Sequence, residues 1–351
     1  MKSFMDRRTF IQTLCILGAG KAVESFAAPL NTTSFSSSLV QVSETRNLMG
    51  TFVTITLLHP SRDQAQTVLG TAFHKMENWV QLFNRHESGT PLDYLNERGF
   101  IKNPPPELVK VLRQSLMIHS RTGGLFDVTV KPLLDLYETE NRLGHLPSDP
   151  SIQEALNRVG ASGLKIEPKK ISFCKEGMGI TLDGIAKGTI VDKIIGFLQG
   201  NGIEHALVDA GGDLRVFGGR NGTGLPWRIA VHDPVNERAT GERIFLTDGA
   251  VATSGNYMVY FDQEKIHHHI LSPESGLSPS WSVSSSIIAP TAEEADALAT
   301  ATMVLDRRES QSLINQDRRL AALWITREGE KIKSLRWKRI MERRERGSDH
   351  A

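Results

Sequence analysis

Several features are scarce in this sequence, and each scarcity argues against a class of protein. There are only 2 cysteines among 351 residues. Basic and acidic residues nearly balance, 41 against 40, so the chain lacks the basic excess that is typical of nucleic-acid-binding proteins. The apolar run near the N-terminus, residues 14–22, is too short to span a bilayer. The chain remains long enough for one large or two modest domains with a substantial core.

The N-terminal region has the pattern of an export signal. Arg7 and Arg8 precede the apolar run, and small residues around Ala27 and Ala28 offer a cleavage site. We therefore expect residues 1–28 to be a twin-arginine signal peptide, and the mature protein to be periplasmic without a transmembrane span. The alternative is a cytosolic start with a chance Arg-Arg pair. Processing would leave Cys174 as the only cysteine, so no intramolecular disulfide is expected.

Residues 248–305 combine strand and helix patterns with many polar groups. Residues 251–255 and 257–261 alternate like an antiparallel strand pair, and residues 283–289 predict a further strand. Thr291 and Glu294 have the spacing of a capping box, which predicts a helix from there to about Leu305. Between these elements lies a run of three histidines, residues 267–269.

Two oxygen-bearing side chains on that helix suggest a metal site. Asp296 and Thr300 are four residues apart and therefore share one helix face. A carboxylate and a hydroxyl suit Mg²⁺, which takes few protein ligands and completes its octahedron with water or phosphate oxygens. The alternative is structural, with Asp296 complementing the helix dipole and Thr300 bonding back to a carbonyl.

A glycine turn at residues 180–188 predicts an anion site. The pattern indicates a strand, a turn and the start of a helix, which would direct backbone N–H groups and Lys187 to one point. A plain strand-to-helix turn is the alternative, and the spacing is not that of a P-loop. Asp127, among apolar neighbours, either caps a turn or accepts a hydrogen bond from a ligand.

Taken together, six segments in order resemble the ApbE family of FAD:protein FMN transferases, over about residues 45–326. They are Met49-Gly50-Thr51; Thr122-Gly123-Gly124-Leu125-Phe126-Asp127; Gly184-Ile185-Ala186-Lys187-Gly188 with Asp192; Gly211-Gly212-Asp213; Thr253-Ser254-Gly255-Asn256-Tyr257 leading to His268-His269-Ile270; and Ala295-Asp296-Ala297-Leu298-Ala299-Thr300.

The resemblance implies roles for particular residues. Mg²⁺ would be bound by Asp296, Thr300 and the carbonyl of Gly184, and Lys187 would place a positive charge at the phosphates. His269 would be either the general base or a group that orients the flavin. The positions implied to hold FAD are Met49, His86, Leu125, Phe126, Asp127, Asp183, Lys187, Ser254, His269 and Ile270.

The implied activity is transfer of FMN from FAD to a Ser or Thr of an acceptor protein, with release of AMP. An FAD pyrophosphatase and a non-catalytic flavin-binding or delivery protein are the alternatives. Two departures from the family pattern are an acid at Asp183 rather than at Thr181, and Ser272 where an aspartate is common. The first, with the twin-arginine start, resembles the NosX branch, which implies a NosR-like acceptor.

The resemblance also implies a fold and a domain organisation. We expect an α+β fold of two interlocked lobes, with mostly antiparallel sheets flanked by helices and FAD in the cleft between them. The expected boundaries are a flexible leader at residues 29–44, the flavin transferase domain at 45–335 and a solvated basic tail at 336–351. The tail alternatively contacts a membrane surface or a partner.

Overall fold

The computed structural model describes residues 39–222, 224–236 and 241–340. The expected signal peptide, most of the expected leader and residues 341–351 of the expected tail lie outside these ranges. Within the described residues, no helix has the length and apolar character needed to cross a membrane.

Strands and helices alternate along the described chain. The strands are β1 (Val40–Leu48), β2 (Thr51–His59), β3 (Phe100–Lys102), β4 (Leu164–Glu167), β5 (Lys170–Phe173), β6 (His205–Ala210), β7 (Leu214–Phe217), β8 (Trp227–Val231), β9 (Glu242–Leu246), β10 (Asp248–Gly255), β11 (Ser284–Ala289), β12 (Ala321–Ile325) and β13 (Lys331–Lys333). The helices are α1 (Arg62–Phe83), α2 (Pro91–Arg98), α3 (Pro106–Arg121), α4 (Lys131–Leu143), α5 (Asp149–Leu156), α6 (Ala186–Gly200), α7 (Ala292–Val304) and α8 (Arg307–Gln316).

An eight-stranded sheet, antiparallel throughout, organises the molecule. Its strand order is β1-β2-β6-β7-β10-β11-β12-β13. Two smaller antiparallel sheets accompany it, β3-β5-β4 and β8-β9. The expected α+β class, with mostly antiparallel sheets flanked by helices, is therefore confirmed.

One face of the large sheet is covered by α1, α6 and α7. Alternate residues of the central strands, such as Ile55 and Val208, point into this layer, as the two-residue period of a strand requires. From the helices, Phe73 and Ile194 pack against them, and all four side chains are buried. This packing fixes the N-termini of α6 and α7 beside each other at one end of the sheet.

The opposite face carries a smaller core, which moves two of the expected boundaries. Trp227 and Ile244 of the β8-β9 sheet pack there with Trp337, whose side chain is fully buried. The expected solvated tail therefore begins too early, because a buried tryptophan ties its first residues to the core. The expected leader likewise ends too late, since Val40 already pairs with His59 in the β1-β2 ladder.

Two segments near the site differ from the sequence pattern. Residues 257–261 do not continue as a strand paired with β10, because β10 pairs with β7 and β11 instead. The segment forms a single bridge, between Tyr260 and His268. Residues 180–182 are buried but irregular, and Thr181 donates its backbone N–H to the Val128 carbonyl rather than to a strand partner.

Candidate active site

The N-termini of α6 and α7 meet without room for side chains between them. A Cβ on Gly188 would lie 2.3 Å from the Ala292 carbonyl oxygen, so only glycine permits this approach. The backbone N–H of Gly188 donates to Asp296 Oδ2 at 3.0 Å. The glycine turn therefore directs the N–H of Gly188 to Asp296, which the resemblance implies to be a Mg²⁺ ligand.

Lys187, in the first turn of α6, forms an ion pair with Asp213. Asp213 follows the glycine turn between β6 and β7, and only 1% of its side chain is exposed. Its other oxygen, Oδ1, accepts the backbone N–H of Thr253 from β10 at 3.3 Å. Burial lowers the pKa of Lys187, but the carboxylates of Asp213 and Asp296 outweigh this and raise it, so the lysine is held as a cation.

Asp296 is a buried carboxyl group, with 3% of the residue exposed. Burial, followed by the charge of Asp213, raises its pKa to about 8, although Lys187 acts in the opposite direction. Oδ2 of Asp296 accepts the backbone N–H of Gly188 at 3.0 Å. A carboxylate in this setting is an unsatisfied anion unless a proton or a cation joins it.

The second residue of the expected metal pair lies one turn further along α7. Thr300 Oγ1 is 3.0 Å from Ser254 Oγ, which ties α7 to β10. A Cβ built on Gly184 would lie 3.0 Å from Thr300 Oγ1 and 3.4 Å from the Phe126 ring. The structure therefore brings Gly184, Thr300, Ser254 and Phe126 together.

His269 lies half-buried at the same site, and its tautomer follows from its hydrogen bond. Its Nδ1 is 3.1 Å from the Val259 carbonyl, which only accepts hydrogen bonds, so Nδ1 carries the proton and Nε2 has the free lone pair. Burial lowers the pKa of His269, and the charges of Asp183 and Lys187 are close enough to act on it as well. The imidazole is therefore neutral at pH 7.

The neighbouring His268 has a structural role. It is 1% exposed, its Nε2 bonds to the Pro279 carbonyl at 2.9 Å, and its backbone N–H donates to Ser278 Oγ. Burial lowers its pKa to about 4. These contacts hold His268 in the segment that precedes His269.

Asp183 is held at the rim of the site by Arg85. The guanidinium of Arg85, 7% exposed, donates from Nε to Asp183 at 3.0 Å and from Nη2 to Glu138 at 3.2 Å. Although burial opposes ionisation of Asp183, the charge of Arg85 lowers the pKa of that carboxyl. His86 is exposed beside this group, and its backbone N–H donates to Asn84.

The remaining expected FAD contacts are distributed around this centre. Met49 lies in the turn between β1 and β2, with a φ of 55°. A Cβ on Gly211 would collide with Thr51, so the β1-β2 turn contacts the glycine turn that precedes Asp213. Ile270 is buried next to His269, and Leu125 is half-buried next to Phe126.

Asp127 is already fully engaged by the protein. Its Oδ1 accepts from the backbone N–H and the hydroxyl of Thr129, at 2.7 and 2.6 Å, and its Oδ2 accepts from the Ala161 N–H at 3.1 Å. These contacts favour the turn-capping alternative stated for this residue. Its contact with FAD stays a prediction.

Sequence reasoning gave no site role to Asp213, Arg85 or Tyr257. Tyr257 lies over Gly255, and burial together with the charge of Asp213 raises its pKa to about 12. Asp213 and Tyr257 were inside recognised segments, but only the fold shows that both approach Lys187. Arg85 had no signal in the sequence, because its partners are far from it along the chain.

The donor set suits Mg²⁺ better than a transition metal. Within the described residues, no group of three or more His, Cys, Asp and Glu side chains is arranged around one metal position. Asp296, Thr300 and the Gly184 carbonyl would supply only oxygens, which leaves positions for water or phosphate. Such a sparse oxygen site is what a magnesium–phosphate complex needs.

The fold is an antiparallel α+β arrangement with a lysine–aspartate ion pair and a buried carboxyl group beside two helix N-termini. A profile of the ApbE family matches residues 49–324. A Vibrio cholerae protein named FAD:protein FMN transferase is 31% identical over 262 residues, 73% of each chain. A Salmonella typhimurium protein of the same name is 27% identical over 341 residues, 93% of this chain and 95% of that one.

Solved structures agree with this. A flavin transferase ApbE from Vibrio cholerae superposes with a TM-score of 0.77 at 27% identity, over 86% of this chain and 99% of that one. An ApbE protein from Thermotoga maritima gives the same TM-score and coverage at 28% identity. The chain belongs to the ApbE family, as the six segments indicated.

Proposed function

We propose that this protein is a Mg²⁺-dependent FAD:protein FMN transferase that attaches FMN to a Ser or Thr of an acceptor protein and releases AMP. The expectation of a flavin-transferase enzyme is confirmed by the relatives of that name. The metal, the type of acceptor residue and the residue roles are the proposal. The observation that carries them is the meeting of Lys187, Asp296, Thr300 and His269 in one site.

In the proposed reaction, the hydroxyl oxygen of the acceptor bonds to the FMN phosphorus of FAD. The bond from that phosphorus to the bridging oxygen breaks, and AMP leaves with the bridging oxygen. The proton of the hydroxyl passes to Nε2 of His269, whose lone pair is free because Nδ1–H is held by Val259. The low pKa of His269 keeps this nitrogen unprotonated at neutral pH.

The residues around the phosphates stabilise developing charge. Mg²⁺, when bound by Asp296, Thr300 and the Gly184 carbonyl, would supply Lewis-acid charge neutralisation. Lys187 adds a positive charge, and its ion pair with Asp213 fixes the position of its ammonium group. Phe126 lies against Gly184 and limits the room beside the metal ligands.

Intact mass of an acceptor tests the proposal. The periplasmic domain of a NosR-like protein is incubated with this enzyme, FAD and Mg²⁺, beside an acceptor whose target Ser or Thr is replaced by Ala. A gain of one FMN residue, lost with EDTA and absent from the Ala acceptor, is expected. AMP and free FMN without a mass gain would indicate the pyrophosphatase, and flavin binding without turnover would indicate a delivery protein.

One substitution separates the two roles of His269. The amide nitrogen of Asn lies where imidazole Nδ1 does, so it can donate to the Val259 carbonyl, but the amide does not accept a proton at neutral pH. If His269 is the base, His269→Asn should therefore slow transfer by about 100-fold or more while FAD binding persists. A transfer rate within about threefold of wild type would assign His269 to flavin orientation, since general bases contribute about 10²–10⁴-fold.

We also propose that the protein acts in the periplasm after twin-arginine export. The support is the Arg7-Arg8 pair ahead of the apolar run. Replacing both with Lys should retain the protein in the cytoplasmic fraction, and unchanged periplasmic recovery would contradict the proposal.

A further inference from the structure

Asp192 joins α6 to the helix that carries the expected metal ligands. Its Oδ1 accepts the backbone N–H of Ala292 at 2.9 Å, and its Oδ2 accepts that of Glu293 at 2.9 Å. These are the first two N–H groups of α7, which have no partner within their own helix. The third, that of Glu294, is capped by Thr291 Oγ1 at 3.2 Å. A carboxylate from another helix thus completes the cap.

The position of Asp192 is itself fixed from two directions. Arg215 on β7 donates from Nη1 to Asp192 Oδ1 at 2.6 Å, and the Asp192 side chain is 18% exposed. One turn earlier on α6, Thr189 Oγ1 donates to Glu293 Oε2 at 2.7 Å. The Gly188 N–H reaches Asp296 from the same face of α6. Asp192, Thr189 and Gly188 therefore make three adjacent contacts between α6 and α7, and the last of them is with Asp296, the proposed metal ligand.

We propose that Asp192 is a positioning residue for the metal site. By holding the first turn of α7 against α6 and β7, it sets where Asp296, one turn later, presents its carboxylate. It touches neither metal nor substrate, and it acts through the helix. This inference rests on the metal site of the proposed function, and groups that orient metal ligands typically change metal affinity by about 10–100-fold.

A purely structural cap would affect stability alone, and the chain offers a matched control for this. Asp306 caps α8 through the same chemistry, since its Oδ1 accepts the Glu309 N–H at 2.8 Å in a capping box. It lies beyond the C-terminal end of α7 and has no contact with the site. Asp306→Ala removes a charged helix cap without disturbing the α6–α7 junction.

The test titrates Mn²⁺ into the purified full-length mature protein and follows free Mn²⁺ by electron paramagnetic resonance. Asp192→Ala should weaken Mn²⁺ binding about tenfold or more, and Asp306→Ala by less than twofold, although both lower the unfolding midpoint. Asp192→Asn retains one acceptor oxygen, so its Mn²⁺ affinity should lie between those of wild type and Asp192→Ala. This variant is used for the test if the alanine variant does not fold. In FMN transfer, Asp192→Asn should raise the Mg²⁺ concentration for half-maximal rate more than it lowers the saturated rate.

Two results overturn the proposal in different ways. If wild type binds Mn²⁺ and both Asp192 variants bind it within twofold of wild type, Asp192 is only a helix cap and the metal site stands. If wild type itself binds no Mn²⁺, the metal site of the proposed function fails and the positioning role fails with it.

Discussion

Replacement of Lys187 by Met removes the cation paired with Asp213 while keeping the aliphatic stem. Its partner Asp213 is 1% exposed, so the variant leaves a buried carboxylate without its ion pair. Removing one partner of a buried pair costs about 3–5 kcal/mol. Because the Lys187 side chain is 33% exposed, solvent screening reduces this, and we expect about 1–3 kcal/mol.

A second ion pair provides the control. Lys331 is 30% exposed and lies 2.8 Å from Asp233, whose side chain is 5% exposed, so the two pairs match in burial. Lys331→Met should lose a smaller amount of stability. Lys187→Met should lose more, because Lys187 also favours the charged forms of Asp209 and Asp296, whose pKa values burial raises.

The measurements are urea unfolding at pH 7 and the rate of FMN transfer by intact mass. The folded-state pKa of Lys187 lies above its ordinary value of 10.5, so its stabilisation is complete below that pH and is lost only as pH rises through the folded-state value. At pH 7 the full effect is therefore observed. Lys187→Met should slow transfer on the order of 100-fold or more, and Lys331→Met should not. Equal losses of rate in both variants would refute the reasoning.

Three further outcomes follow from the same contacts. Gly188→Ala should lower stability by about 1–3 kcal/mol, because its Cβ would overlap the Ala292 carbonyl, whereas Gly196→Ala on the same helix meets no atom within 4 Å and should not; equal unfolding midpoints would contradict the close approach. In EDTA, the unfolding free energy should fall as pH rises from about 4 to about 8, because the raised pKa of Asp296 makes the folded state bind the proton more tightly; Asp296→Asn should remove most of this slope, and an unchanged slope would assign it elsewhere. FAD should bind more tightly with Mg²⁺ than with EDTA in wild type, measured by flavin fluorescence, and Asp296→Asn should make the two affinities alike; a metal-independent wild-type affinity would contradict the coupling.

The sequence predicted elements well where the signal was local and periodic. Thr291 does cap α7, which runs from Ala292 to Val304. At α5 the N-cap is Ser148 rather than Ser151, although Ser151 has an acid three residues later, because Pro suits the first turn and Pro150 lies there.

Patterns failed where tertiary contacts determine the backbone. Residues 180–182 are apolar enough for a strand, yet Asn96 accepts the Ile180 N–H and donates to its carbonyl, at 2.8 and 3.0 Å, which replaces a ladder partner. The Asn256 N–H donates to the Val283 carbonyl, next to the last paired residues of β10 and β11, and residues 257–261 then leave the sheet. The partner in each case is too distant in sequence for a local pattern to indicate.

Most residues of the candidate site could be predicted only from the family resemblance. Asp296 and Thr300 could be paired by helical spacing alone, and Lys187 by its place in a glycine turn. Their meeting with Asp213 depends on the order β6-β7-β10 in the sheet, which no single segment encodes. The contact of Arg85 with Asp183 could be found only from the fold, because most of the N-terminal half of the domain separates the two residues in the sequence.

The charge balance of the site bears on which of the three functions it serves. Asp213 and Asp296 are buried and Asp209 is half-buried near Lys187, which forms its ion pair with Asp213. FAD brings a further negative charge in its pyrophosphate, so these carboxylates would weaken flavin binding unless a cation accompanied it. A protein that only stored or delivered flavin would bind it better with apolar residues at Asp296. A buried carboxylate at that point becomes favourable when a divalent cation must be held against the phosphates while a bond between them breaks, which is the requirement of a transferase or a pyrophosphatase.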